Sequence, residues 1–142
     1  MEIIIIGGCP GEDLSEYVLK NINFGEYNTK KMKDNHEHTK HVYLRFPECF
    51  QTHPKDYFDD VLKIAKSCID NDESLYVTTF SEKILNAVRI AISESKKEIP
   101  AECHQLFNHG EVSISTIDEG GSLSYWQSGV WDAWDDALAR LL

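Results

Sequence analysis

A chain of 142 residues is the size of one domain, long enough to close a hydrophobic core without disulfides or a structural metal. With 42% hydrophobic and 27% charged residues it has the composition of a folded globule, not of a disordered chain. A formal net charge of -10 argues against non-specific binding to nucleic acid or anionic lipid.

In chain order, "EIIII" reads as a fully buried strand that runs into a glycine loop, "GGCPG", and "EDLSEYVLKNI" follows with helical spacing at Leu14, Tyr17, Val18 and Ile22. The apolar run Ile3 to Ile6 is too short to span a bilayer, and no basic flank or long apolar segment marks a secretion signal, so a cytoplasmic protein is expected. Residues 23–40 are polar and lysine-rich without a period, which predicts an exposed connection.

"HVYLRF" then restores strand character up to Pro47, and "PKDYFDDVLKIAKSCI" opens on Pro54 with acidic residues in its first turn, as helices prefer. "SLYVTTF" and "SEKILNAVRIAISESKK" repeat the unit, with Ser81 as N-cap and Ile84, Leu85, Val88 and Ile92 on one face. Three strand-to-helix units predict a single layered α/β domain over 1–142 with a mainly parallel sheet. Beyond Pro100, "EVSISTID" and "SLSYW" around "EGG" predict a C-terminal β-hairpin, and "VWDAWDDALARLL" a short closing helix.

Three of these pieces, in order, resemble ABC-type ATPase domains of the structural-maintenance-of-chromosomes and overcoming-lysogenization-defect group, which includes many small bacterial and phage-defence ATPases. "IIIIGGCPGEDLS" is similar to the strand and phosphate loop of G-x-x-x-x-G-K-S/T, where backbone amides and a lysine hold phosphates and a hydroxyl holds magnesium. "VYLRFPECFQTHPKDYFDDVLKIAK" is similar to a strand that ends in Asp-Glu-Pro-Glu, with Pro47, Glu48, His53 and Pro54 in place. "YVTTFSEKILNAVRIAI" resembles the final strand running into Thr-His-Ser, through Thr79, Ser81 and Glu82. "DEGGSLSYWQSGVWDAWDDAL" looks like a tail found in some of these proteins, through Trp126, Gly129, Val130, Trp131 and Asp132. The resemblance implies a P-loop-NTPase-like sheet.

The departures matter more, because each residue that would do chemistry is exchanged. Glu12 or Asp13 falls where the phosphate-loop lysine would stand, Arg45 and Phe46 replace the magnesium-binding Asp and the water-activating Glu, and Phe80 replaces the histidine that would contact the γ-phosphate. Arginine cannot ligate Mg²⁺ or accept a proton, and a phenyl ring has no lone pair. Two unit charges about 4 Å apart interact by about 4 kcal/mol at an effective dielectric of about 20, so an acid in the lysine's place outweighs several neutral amide contacts to a phosphate. "LSYWQ" is only a chance echo of the family's LSGGQ signature, with Tyr125 and Trp126 where glycines would allow close approach.

Other signals carry less. The four cysteines, Cys9, Cys49, Cys68 and Cys103, form no C-x-x-C pair and read as buried or idle thiols. His36, His38 and His41 lie in a lysine-rich stretch without fixed-spacing partners, so a metal is not expected, and the pair His104 and His109 is no stronger. Trp131 and Trp134 share a helical face, so core packing is their ordinary reading. The alternative is a partner surface formed by Trp126, Trp131 and Trp134 with Asp135 and Asp136.

These residues predict a catalytically inactive ATPase-like domain without cofactor or metal. It would bind another protein, for which the resemblance suggests an ABC-type ATPase, and self-association stays open. The alternative is a module that holds a nucleotide or small anion, uncleaved, on the amides of a loop containing Gly7, Gly8 and Gly11.

Overall fold

A computed structural model describes residues 1–8, 12–22, 41–46 and 54–126, with the backbone alone at 45–46 and 54–57. The elements are β1 (Ile3–Gly8), α1 (Leu14–Asn21), β2 (His41–Phe46), α2 (Pro54–Asp70), β3 (Ser74–Thr79), α3 (Glu82–Ser95), β4 (Ala101–Phe107) and β5 (Glu111–Thr116). They build a layered α/β fold on one five-stranded sheet, ordered β2-β3-β1-β4-β5, in which only β5 runs antiparallel to its neighbour.

The step from β1 to β2 goes one way across the sheet, while β2 to β3 and β3 to β4 go the other. Right-handed crossovers therefore put α1 on one face and α2 with α3 on the opposite face. The core divides accordingly. Ile3, Ile5, Leu75, Val77 and Cys103 pack beneath Val61, Ala65, Leu85, Val88 and Ile92, and Ile4, Ile6, Tyr76 and Leu106 pack beneath Leu14 and Val18. A strand covered on both faces has no polar side to show, which is why "IIII" reads as a continuous apolar run.

Local chemistry sets the ends of the elements. Asp13 is the N-cap of α1, its Oδ1 accepting the Glu16 amide at 2.9 Å. Ser81 occupies the expected N-cap of α3, but its side chain makes no capping bond; instead its own amide donates to Thr79 Oγ1 at 3.0 Å. The α3 helix ends at Lys96 in the left-handed region, and Pro100 precedes β4.

Two expectations are corrected in position. Gly7 and Gly8 are the last residues of β1, not part of the loop, with Gly7 opposite Thr79 and Gln105 and Gly8 opposite Leu106. The hairpin is β4–β5, one strand earlier than expected. Its turn takes Asn108, His109 and Gly110 through φ of 46°, 58° and 113°. The "EGG" turn does form, with Asp118 Oδ1 accepting the amides of Gly120 and Ser122, but beyond it "SLSYW" returns along β5 only through the bridge between Ile117 and Leu123 and the bonds of Ser124 to Thr116 and of Ser115 to Tyr125, without forming a strand. Arg89 of α3 holds that turn through a 2.7 Å bond from Nε to the Gly121 carbonyl. The expected C-terminal helix and the connection 23–40 lie outside the described residues.

His41 stacks on Tyr76 at 5.6 Å between ring centroids, and burial lowers its pKa, with Glu2 acting in the opposite direction. The fold thus favours the neutral ring. Its contribution is complete above the unfolded pKa of about 6.5 and is lost as pH falls through the lowered folded value. Urea midpoints should therefore drop on acidification through that window, and His41→Phe should flatten the drop; an unchanged slope would remove His41 from the explanation.

Candidate functional site

The carboxyl ends of the parallel strands form one edge of the sheet, and one residue from each of the three motifs lines up there. Phe46 of β2 is opposite Thr79 of β3, and Thr79 is opposite Gly7 of β1. Neighbouring strands lie about 4.8 Å apart, so the aligned positions form a single row although they are far apart in sequence. The connections leaving β1 and β3 pass to opposite faces, and the crevice between two such strands is where open α/β sheets take ligands.

Packing occupies much of that edge. Phe80 follows β3 directly and packs, half-buried, against the smaller core with Tyr17 and Tyr43. A Cβ on Gly8 would lie 2.4 Å from the Leu106 carbonyl oxygen, so this glycine is demanded by the approach of β4. The backbone of Arg45 and Phe46 is fixed in β2 by pairing to Thr78 and Thr79. Gly11 lies outside the described residues, as do Cys9, Pro47, Glu48 and His53.

Glu12 and Asp13, the two acids before α1, are both engaged with the protein. Asp13 takes the Glu16 amide, as above, and Glu12 Oε1 accepts the backbone N–H of His109 at 2.7 Å, tying the start of α1 to the β4–β5 turn. Glu16, in the first turn, pairs with Lys20 at 2.7 Å. Three carboxylates at a helix N-terminus complement its dipole and raise the electrostatic cost of bringing an anion to the same amides.

Beneath them, Tyr17 Oη and His104 Nδ1 are 2.6 Å apart, and His104 Nε2 is 3.5 Å from Glu102 Oε1. At that distance Glu102 is a near neighbour of Nε2 and not a bonded partner, and among the described residues Nε2 is buried without a hydrogen bond. Burial, and then the Glu102 carboxylate, push the Tyr17 phenol above its ordinary pKa, so at neutral pH it stays protonated beside Nδ1. That state suits a clamp between α1 and β4 and not a phenolate nucleophile. Tyr17→Phe leaves a second His104 nitrogen unpaired and should cost about 1–3 kcal/mol in urea unfolding; an unchanged midpoint would show that the clamp carries no stability.

Between α1 and the β4–β5 hairpin runs a groove of about 560 Å³ with Leu106 and Val112 on one side and Glu12, Asp13 and Glu16 on the other. Sequence reading missed it, because a turn residue, His109, and a strand without clear period, β4, supply one wall. The two histidines of that segment are separated by the fold, His104 buried beneath α1 and His109 exposed in the turn.

Burial pushes Cys68 up to about 11 and Cys103 up to about 12, so both stay as thiols at neutral pH. Trp126 is half-buried against the larger core, while Trp131, Trp134, Asp135 and Asp136 lie outside the described residues. Among the described residues no group of three His, Cys, Asp or Glu is placed to hold a metal, and no helix is long and apolar enough to cross a membrane. Comparison with protein-family models, with curated proteins and with solved structures finds no match.

Proposed function

We propose that this chain is a non-catalytic ATPase-like domain that acts as a protein-binding module, pairing with or competing against an active ATPase. The observation that carries the reading is the state of the α1 N-terminus, where a phosphate would be held: Asp13 and Glu12 already take the amides of Glu16 and His109. The row of Phe46, Thr79 and Gly7 supports the resemblance that motivates it, because separated motifs gain meaning when the sheet brings them to one edge. With Arg45, Phe46 and Phe80 in place of a metal ligand, a base and a phosphate contact, the positions that would activate water in the resembling domains carry no group able to do so. The test is phosphate release from Mg²⁺–ATP by the purified chain: none above buffer is expected, and turnover that scales with protein concentration would overturn the reading.

A second reading, an uncleaved nucleotide or small anion held at the end of β1, is favoured by one observation. The helices α1 and α3 leave neighbouring strands on opposite faces, and the crevice so formed is a usual ligand position. The acids at the start of α1 weigh against it.

A further inference from the structure

Among the described residues the outer edge of β5 is only partly closed, by Ser124 beside Thr116 and by the Tyr125 carbonyl, which accepts from Ser115 Oγ. In an antiparallel strand alternate residues turn both backbone groups to the same side. Ile117 N–H bonds to the Ala101 carbonyl on the β4 side, whereas Thr116 turns outward, its carbonyl accepting the Ser124 amide and its amide donating to Ser124 Oγ, both at 2.9 Å. Ile114 and Val112 share the outward phase of Thr116, and among the described residues no strand pairs with them there. Their side chains are large, apolar and 53% and 37% exposed. Open backbone groups beside exposed aliphatic side chains are what an added strand requires.

The charges around this edge select the occupant. Val112 also lines the groove that holds Glu12, Asp13 and Glu16, where among the described residues Lys20 is the one lysine or arginine and is itself paired to Glu16. At the other end Glu102, opposite Thr116 and 44% exposed at its side chain, lies on the same face of the sheet. A second copy of this chain would bring "EVSIST" to the edge, with an acid, no cation and a net charge of -10.

We propose that β5 accepts, as a sixth strand, an extended segment of a partner protein with aliphatic residues at alternate positions and Lys or Arg flanking them. The aliphatic side chains pack on Val112 and Ile114, and the cations reach the groove carboxylates and Glu102. This rests on the reading of the chain as a protein-binding module and names the chemistry of its partner.

The probe is the synthetic peptide Lys-Thr-Val-Thr-Val-Thr-Lys, titrated into the isotope-labelled full chain and followed by amide shifts. Saturable shifts at Val112 and Ile114 are expected, with affinity about tenfold weaker in high salt and about tenfold weaker for Ile114→Lys. Glu16→Gln, at an exposed position, should weaken binding without moving its place. The proposal is overturned if the same peptide with Glu for both Lys binds equally well, if the shifts fall elsewhere, or if millimolar peptide gives none. It is overturned in favour of self-pairing if the chain alone sediments as a dimer that Ile114→Lys dissociates. None of these readouts involves nucleotide, so this proposal can fail while the chain still neither binds nor cleaves ATP, and ATP turnover can refute the pseudo-domain while the peptide still binds.

Discussion

Gly8→Ala is expected to destabilise the fold by about 1–3 kcal/mol, the range for a group forced into a filled site. The added Cβ would stand 2.4 Å from a backbone oxygen and 3.1 Å from Cβ of the same residue, Leu106, inside the β1–β4 ladder. A carbonyl in a ladder cannot swing away as the end of a side chain could, so the two strands must separate or shift register. Gly120→Ala is the control, since its nearest neighbour would be Asp118 Oδ1 at 3.4 Å, and a surface change of that kind stays within about 0.5 kcal/mol. Urea unfolding of both variants decides the matter. If Gly8 were kept for close approach to a phosphate, Gly8→Ala would unfold like the parent while losing a ligand, and that outcome would reverse the assignment.

Leu85→Ala should have the larger effect, about 2–5 kcal/mol, because its side chain is fully buried between α3 and the sheet. For a domain whose whole stability is on the order of 5–15 kcal/mol, that removes a large share of it. The melting temperature should fall on the order of 10 °C. A fall of only a degree or two would mean that the sheet and α3 close over the cavity, or that α3 contributes less to the core than its six buried residues, Ile84, Leu85, Ala87, Val88, Ala91 and Ile92, imply.

The sequence made the strand-to-helix units legible because their signals are local. "HVYLRF" coincides with β2, Pro54 opens α2, and Ile84, Leu85, Val88 and Ile92 mark the buried face of α3. It misplaced features that depend on distant neighbours. Gly7 and Gly8 look like a loop until β3 and β4 are set beside them, for a glycine at a close strand approach and a glycine in a turn read alike. The β4 strand escaped notice because its buried positions include His104 and Gln105. Polar residues hide a strand's apolar pattern when the groups that satisfy them, here Tyr17 for His104, lie far along the chain.

The candidate site was legible as a set of absences and not as a shape. Reading Glu12 and Asp13 against a phosphate loop predicts repulsion of anions, and that much needs only charge. That Glu12 would reach the amide of His109, 97 residues away, and so close one end of a groove against β5, depends on the fold. Phe80 likewise stood out against the histidine of the resembling domains, whereas its packing on the smaller core gives it a structural reason to be apolar.

The claim on which the proposed function depends is that the carboxylates at the start of α1, Asp13 capping the Glu16 amide and Glu12 beside it, keep an anion from the helix N-terminus. Titration calorimetry of the full chain with Mg²⁺–ATP, repeated with Glu12→Gln and Asp13→Asn, measures it. No binding heat up to millimolar nucleotide is expected for the parent, with weak anion binding emerging only once the charges are removed. Saturable micromolar binding by the parent would contradict it.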